Sequence, residues 1–256
     1  MVKFLILYAY FENENSKRNL IYFLKYGVFD KEDYKYILIS NSNITVEIPK
    51  FVTLIQRENK GYDFGAWAIG LKEIINTKEN LNSYDYFIFI NSTVIGPFLP
   101  SYVSVDWPFL FSEMIDDKVK LVGTTINCRF KIHVQSMFFL TDKIGLSVLI
   151  DKGIFKDNDN DTKVDVINKR EIRMTHEIMN CGYQINCIFS LFRDSDYKSD
   201  FLKSLGDVYL KNAIHGPNVV NAHDIDPLDV IFFKSNRGFG EKQIQKYIMI
   251  QENKFK

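Results

Sequence analysis

Short, almost continuously apolar segments alternate with helical patterns over the first ninety residues, and this alternation constrains the fold more than any other feature of the chain. Segments 2–10, 36–39 and 84–90 are apolar at most positions, which is typical of strands covered on both faces of a parallel sheet. Between them, apolar residues in 16–27 and 64–75 recur at helical spacing. Strand and helix in turn predict an α/β fold whose parallel strands are joined by right-handed crossovers.

The whole chain is predicted to form a single domain. It has 256 residues, 46% of them hydrophobic, which is enough for one sizeable core, and neither a linker nor an internal repeat divides it. The remaining elements are less regular in the sequence, which predicts strands at 46–55, 120–124, 134–140 and 183–188 and helices at 107–115, 142–150, 166–181 and from 241 onward.

The charge balance excludes some classes of partner. The chain carries 32 basic and 32 acidic residues and no basic block interleaved with aromatic residues, so nucleic-acid binding is not expected. No segment is long and apolar enough to predict a membrane helix, and 2–10 is interpreted as a buried strand and not as a signal peptide.

Cysteine usage bears on the cellular compartment. Cys128, Cys181 and Cys187 are odd in number and lack metal-site spacing, so we expect reduced thiols, with a Cys181–Cys187 disulfide as the weaker alternative. This predicts a cytoplasmic protein, or one in the host cytoplasm if the Lys-, Asn- and Ile-rich composition reflects a virus. The oligomeric state stays open.

A polar turn at 57–67 joins a short strand to a helix. Gly61 and Gly65 let the backbone bend and let a ligand approach closely. Asp63 is predicted to cap the helix, with amides behind it that face an anion. The alternative is an ordinary strand-to-helix joint around a buried Trp67.

Three motifs within 59–138 carry a family resemblance. They are Asn59-x-Gly61-x-Asp63-x-Gly65-Ala66-Trp67, Phe89-Ile90-Asn91-Ser92-Thr93-Val94-x-Gly96-Pro97-Phe98 and His133-x-Gln135-Ser136-x-Phe138. With them the chain resembles GT-A-fold glycosyltransferases of the rhamnan-synthesis F type and their viral and algal relatives. The resemblance implies a Rossmann-like, mostly parallel sheet flanked by helices, with a small antiparallel C-terminal elaboration.

The activity that this resemblance implies is a hexosyl transfer. A nucleotide-diphospho-sugar, in the first instance a UDP-sugar, gives its sugar to a glycan or a glycoprotein. The nucleotide-binding half is then 1–100, the acceptor-side half is 101–240, and 241–256 is a helical tail. The implied nucleotide-sugar-binding residues are Tyr10, Ser40, Arg57, Asn59, Lys60, Gly61, Asp63, Ser92 and Gln135.

Several of these assignments have equally plausible alternatives. The Tyr10 ring is assigned to stacking and the Ser40 hydroxyl to a ribose or base edge, although a tyrosine in a strand also suits the core. Arg57 and Lys60 face a diphosphate or are plain surface charges. Asp63 holds a ribose or donor-sugar hydroxyl, or serves only as a helix cap.

The metal site implied by the family is altered in this chain. Asn91 and Thr93 stand where the family has Asp-x-Asp, and their oxygens are neutral, so Mn2+ or Mg2+ would be bound weakly. His223 is the candidate third ligand, with an exposed loop histidine as the alternative, and the position of His215 is less clear. Catalysis without a metal is also open.

Three residues are assigned catalytic roles by the resemblance: Asp63, His133 and Glu171. His133 and Gln135 alternate along a predicted strand, so they point the same way toward sugar hydroxyls, unless His133 is a satisfied core histidine. Glu171 matches the base of inverting family 2 glycosyltransferases. A carboxylate near the start of a helix is, however, also favoured by the helix dipole alone.

Two other classes of function compete with the transferase. A GT-A-like module that only binds a nucleotide or a glycan is supported by the neutral pair Asn91 and Thr93. A nucleotidyltransferase is disfavoured because 11–14, after the first strand, is acidic and lacks a basic glycine-rich loop.

Overall fold

A computed structural model of the chain describes residues 1–77, 80–127, 131–157, 161–197 and 225–254. Its strands are β1 Phe4–Tyr10, β2 Tyr34–Ser40, β3 Val52–Gln56, β4 Tyr86–Asn91, β5 Val94–Ile95, β6 Val119–Gly123, β7 Ile126–Asn127, β8 His133–Val134, β9 Phe138–Asp142, β10 Gln184–Cys187 and β11 Phe233–Lys234. Seven of these form the central sheet in the order β10, β6, β9, β4, β1, β2, β3.

The central sheet is mostly parallel. Strand β9 runs antiparallel to both of its neighbours, β4 and β6, while the other pairings are parallel. Two small antiparallel sheets, β5 with β11 and β7 with β8, lie outside it. The predicted α/β class, with a mostly parallel sheet and small antiparallel additions, is confirmed.

The helices are α1 Glu14–Tyr26, α2 Tyr62–Asn76, α3 Trp107–Ser112, α4 Lys143–Asp151, α5 Lys163–Val166, α6 Arg173–Asn180, α7 Pro227–Val230 and α8 Glu241–Lys254. A 3-10 turn covers Leu81–Ser83, and a π-helical segment, Ile167–Ile172, joins α5 directly to α6. None of the helices in the described ranges has both the length and the apolar character needed to cross a membrane.

Helices cover both faces of the sheet, and β1 is therefore buried along its whole length. Leu5 and Leu7 face the layer that contains α2, α4 and α6. The alternate residues Phe4 and Ile6 face the layer that contains α1 and α3. Such two-sided burial explains the unbroken apolar run in the sequence and agrees with the position of β1 inside the sheet, between β4 and β2.

The structure differs from the sequence-based elements at three places. The third strand, predicted to lie within 46–55, is found only at the end of that range, as Val52–Gln56. The strand predicted at 134–140 is two strands, because the chain turns at 135–137 between β8 and β9. The helix predicted at 166–181 begins at Lys163. The second and third differences both change the surroundings of residues that were singled out for function.

Cysteine chemistry is described at two of the three positions. Cys181 is exposed, Cys187 is buried, and neither forms a disulfide. The alternative of a Cys181–Cys187 disulfide is therefore wrong. Cys128 lies outside the described residues.

Candidate functional site

A cavity of about 570 Å³ opens at the carboxyl end of β4. Its walls come from the start of α2, the end of β4, the β7–β8 hairpin, the π segment and the residues at and after β11. Six residues that the sequence singled out line it together: Asp63, Asn91, Thr93, His133, Gln135 and Glu171. Carboxyl ends of parallel strands are the usual ligand-binding edge of an open α/β sheet.

The chain enters α2 through two residues with left-handed backbone. Gly61 has a φ of 69° and Tyr62 a φ of 52°. Glycine adopts this region freely, but a tyrosine is strained there, and such strain is concentrated at functional sites. Tyr62 is 39% exposed and lines the cavity, so an aromatic ring stands at its rim. The sequence analysis did not select Tyr62.

The prediction that Asp63 caps α2 is wrong, because Gly61 occupies the cap position and no side chain caps the helix. Gly65 also has a different role from the one predicted. A Cβ at this position would lie 2.4 Å from the carbonyl oxygen of Lys60. The packing of the turn against itself therefore requires a glycine at 65, whatever ligand approaches.

Asp63, Asn91 and Thr93 form one hydrogen-bonded network. The Asn91 Nδ2 donates to Asp63 Oδ2 at 2.8 Å. The Asn91 Oδ1 accepts from the Thr93 backbone amide at 3.0 Å and from the Thr93 hydroxyl at 2.5 Å. An amide oxygen has two lone pairs, so both acceptor positions of Asn91 are already occupied.

Asp63 is set up to change protonation state near neutral pH. Burial of the carboxyl raises the pKa of Asp63 to about 6, while the Asn91 hydrogen bond and the charge of Lys234 limit the rise. The residue as a whole is only partly buried, and its carboxyl faces the cavity wall. A perturbed carboxyl in a cleft is a candidate for a functional role.

Glu171 lies inside the π segment and not at a helix start, so the helix-dipole explanation for this residue is wrong. Its Oε1 accepts from the backbone amide of Ser136 at 2.9 Å. This bond holds the turn between β8 and β9 against the helix. Single π turns within helices frequently mark functional sites, because they redirect side chains that regular spacing would place elsewhere.

His133 and Gln135 both reach the cavity, although β8 ends at Val134, before Gln135. His133 is buried, and its Nδ1 lies 2.7 Å from the carbonyl oxygen of Lys131. Since a carbonyl only accepts, Nδ1 carries the hydrogen, and in the neutral ring Nε2 is left as an acceptor. The Gln135 Oε1 accepts from the Thr125 hydroxyl at 2.7 Å.

Four cationic side chains that the sequence analysis missed also line the cavity: Lys131, Lys163, Lys234 and Arg237. They outnumber the two carboxylates of Asp63 and Glu171 on the same walls. No local motif contains them. Lys234 reaches the site only because β11 pairs with β5, which sets it opposite Val94.

Three residues assigned to the nucleotide lie in the core instead. The Tyr10 ring is fully buried and its hydroxyl donates to Glu12, so the stacking role predicted for it is corrected. The buried Ser40 hydroxyl donates to the Ser42 carbonyl oxygen at 2.8 Å. The buried Ser92 hydroxyl lies 3.4 Å from the Phe11 amide, which donates to it. None of the three lines the cavity.

The turn residues assigned to a diphosphate also lie outside the cavity lining. The Arg57 guanidinium donates to the Lys60 carbonyl oxygen at 2.8 Å and pairs with Asp157 at 3.0 Å. Asn59 and Lys60 are exposed. Arg57 therefore has a structural role in the turn, and its predicted diphosphate contact stays a prediction.

The described residues do not fit a divalent cation. They contain no group of three His, Cys, Asp or Glu side chains that converges on one point. Both lone pairs of Asn91 Oδ1 are used by Thr93, and neutral oxygens attract such ions weakly. His223 and His215 lie outside the described residues.

Comparison with known proteins identifies a family. A model of rhamnan synthesis protein F matches residues 36–218. The virulence protein VirA of Vibrio anguillarum is 29% identical over 194 residues, which cover 72% of this chain and 59% of that protein. The chain thus spans about three-fifths of the length of this curated relative.

Solved structures with a partial likeness are glycosyltransferases. A mannosyltransferase from Pyrobaculum calidifontis, in complex with GDP-Man and Mn2+, has a TM-score of 0.43 at 11% identity and covers 71% of this chain and 53% of its own. A glycosyltransferase that acts in glycosylation of the PBCV-1 major capsid scores 0.36 at 12% identity, with coverages of 60% and 65%. The catalytic domain of Drosophila β1,4-galactosyltransferase 7 scores 0.35 at 9%, with coverages of 73% and 65%.

Proposed function

We propose, from the premise that this chain belongs to the rhamnan synthesis protein F family, that its cavity is the active site of a glycosyltransferase. The donor is a nucleotide-diphospho-sugar, with a UDP-hexose as the first candidate, and the acceptor is a hydroxyl of a glycan or glycoprotein. In this proposal 1–100 supplies most of the donor side and 101–240 most of the acceptor side.

One observation carries the proposal: two carboxylates, several side-chain amides, a histidine and four cations converge on a single cavity at the end of the central strand β4. Cations suit the diphosphate of an activated sugar, and carboxylates and amides suit sugar hydroxyls. A cavity of about 570 Å³ falls within the usual size range of small-molecule sites.

Each lining residue has a proposed task. Tyr62 at the rim offers a ring on which the nucleotide base or the sugar can pack. Asp63, held by Asn91, binds a donor-sugar or ribose hydroxyl. His133 and Gln135 bind the acceptor. Glu171, whose carboxylate already docks the β8–β9 turn, is the candidate base.

The proposed reaction is a displacement at the anomeric carbon. Glu171 takes the proton of the acceptor hydroxyl while the acceptor oxygen forms the new bond to the anomeric carbon. The bond from the anomeric carbon to the diphosphate oxygen breaks, and its electron pair leaves with the nucleoside diphosphate. This assignment corresponds to inversion. If configuration is retained, a base at Glu171 is not needed and the residue contacts a substrate instead.

The test begins with binding and continues with turnover. Thermal shifts with UDP-, GDP- and dTDP-sugars identify the donor, and release of nucleoside diphosphate with and without saccharide acceptors measures transfer. We expect one donor to stabilise the protein and Asp63→Asn to weaken that effect. Tyr102→Ala, at an 85% exposed position outside the cavity lining, is the matched control. If none of the donors stabilised the protein, the proposal would be contradicted.

A second candidate is a domain that binds a nucleotide or glycan without turning it over. The hydrogen bonds between Asn91 and Thr93 favour this candidate. They leave a neutral, hydrogen-bonded pair at the positions where the family resemblance implies two carboxylates that bind a metal. Tight nucleotide binding combined with no transfer to any acceptor would support it. Transfer that is lost in Glu171→Gln would reject it.

A further inference from the structure

We propose that Lys234, Arg237 and Lys163 stabilise the leaving diphosphate of the donor in place of a divalent cation. This inference rests on the proposed function, because it assumes a nucleotide-diphospho-sugar in the cavity. In many enzymes a bound metal ion would neutralise the charge of the diphosphate, but Asn91 and Thr93 are poor metal ligands. The inference assigns this neutralisation to the three cationic side chains instead.

The first support is the chemistry of the β4 end. Asn91 gives both acceptor positions of its amide oxygen to Thr93 and donates its amide to Asp63. A metal ion bound by Asn91 and Thr93 would have to break the bonds between them and would gain only their neutral oxygens in return. Among the described lining residues, only Glu171 brings a second carboxylate besides Asp63, and it accepts from the Ser136 amide.

The second support is the fixed position of Lys234. Its strand, β11, pairs antiparallel with β5. The next residue, Ser235, donates its amide to the Thr93 carbonyl oxygen at 3.0 Å, and its hydroxyl accepts from the buried Asn19 side chain at 2.8 Å. The backbone that carries Lys234 is therefore anchored at the very corner where Asn91 and Thr93 lie.

The third support is that the cations are not already neutralised. Within the described ranges, no salt bridge joins Lys234, Arg237 or Lys163 to a carboxylate. Burial lowers the pKa of Lys234, and the positive charges of Arg237 and, less strongly, Lys163 lower it further. The carboxylates of Glu171 and Asp63 partly oppose this shift in pKa. A partly desolvated cluster of like charges gains most from a bound anion.

The chemical step needs this compensation. As the bond from the anomeric carbon to the diphosphate breaks, its electron pair moves onto a diphosphate oxygen and negative charge grows there. Ammonium groups and a guanidinium donate charge-assisted hydrogen bonds to such oxygens, and a guanidinium can bind two of them at once. Donors already in place stabilise the developing charge without reorganisation.

The experiment compares nucleotide affinity with and without metal. UDP, GDP and dTDP are titrated by calorimetry into the full chain in excess EDTA and again in Mn2+, together with the corresponding nucleosides. We expect one diphosphate to bind with similar affinity under both conditions. Lys234→Gln should weaken that diphosphate about tenfold or more and leave nucleoside affinity unchanged. Lys163→Gln and Arg237→Gln, at exposed positions, should each weaken it in the same direction.

The controls separate the outcomes. Lys72→Gln, exposed on α2 and outside the cavity lining, removes a positive charge without touching the site and should change nothing. Diphosphate binding that disappears in EDTA and returns with Mn2+ would overturn this inference while leaving the proposed function intact. Unchanged diphosphate affinity in all three cation variants would also overturn it. Failure of every diphosphate to bind in either condition would instead refute the proposed function.

Discussion

The side-chain amide of Asn91 lies 2.8 Å from the carboxylate of Asp63 and ties the end of β4 to the first turn of α2. The two residues are 28 positions apart in the chain and belong to two different motifs. Their contact explains why both motifs sit at one cavity. It also makes Asn91 a donor to a carboxylate, a role that an ionised aspartate at this position could not perform.

Restoring the acidic residue should therefore destabilise this chain. Asn91→Asp sets two carboxylates against each other, so at pH 7 we expect a loss of about 1–3 kcal/mol in the free energy of unfolding. At pH 5 the pair shares a proton and most of the loss should disappear. Urea unfolding at both pH values measures this, with Asn82→Asp on an exposed turn as control. An equal loss at pH 5 and pH 7 would contradict the explanation.

Asp63 should make stability fall as pH rises from about 4 to about 6. Its pKa is about 6 in the folded chain and about 3.9 when unfolded, so the folded state binds more protons in that window. Allowing for partial exposure, we expect a loss of about 1–2 kcal/mol across it. Asp63→Asn should remove this component. The measurement is urea unfolding of both proteins against pH, and parallel curves would disprove the assignment.

Glu171 should be separable into a structural acceptor and a catalytic base. Glu171→Gln keeps an oxygen for the Ser136 amide, so stability should hold, while turnover should fall at least about a hundredfold. Glu171→Ala should in addition lower the free energy of unfolding by about 1 kcal/mol, since the amide loses its partner. Donor turnover and thermal unfolding of both variants test this. Normal turnover in Glu171→Gln would exclude Glu171 as the catalytic base.

Tyr62 should contribute more to ligand affinity than to the stability of the fold. Tyr62→Gly relieves a left-handed tyrosine but adds freedom to the unfolded chain, so we expect the free energy of unfolding to change by less than about 1 kcal/mol. Affinity for the donor nucleotide should drop about tenfold with the loss of a packing ring. Calorimetry and urea unfolding give the two values, and Tyr102→Ala serves as control. Undiminished affinity would exclude Tyr62 from the donor site.

The framework and one side of the cavity could be predicted from the sequence. The apolar runs of β1, β2 and β4 are buried on both faces, a pattern that few other folds produce. Polar residues that follow such strands collect at one edge, which is why the placement of Asp63 and Asn91 at a common site could be anticipated.

The other side of the cavity has no local signal. Strand β11 has two residues, and its hydrophobic pattern is too short to indicate a partner. The π segment that carries Glu171 depends on tertiary packing, and the turn at 135–137 depends on the Glu171–Ser136 bond. Residue type alone also misplaced Tyr10, because its ring is buried in the core.

The short pairing of β11 with β5 has a consequence for the order of assembly. Ser235 meets Thr93 across 142 residues of chain, so the wall that carries Lys234 and Arg237 can form only after residue 235 has been synthesised. Until then the early strands can fold while the cavity still lacks these two cations. If the cavity binds a nucleotide-sugar as proposed, bound donor should in turn stabilise the docking of β11.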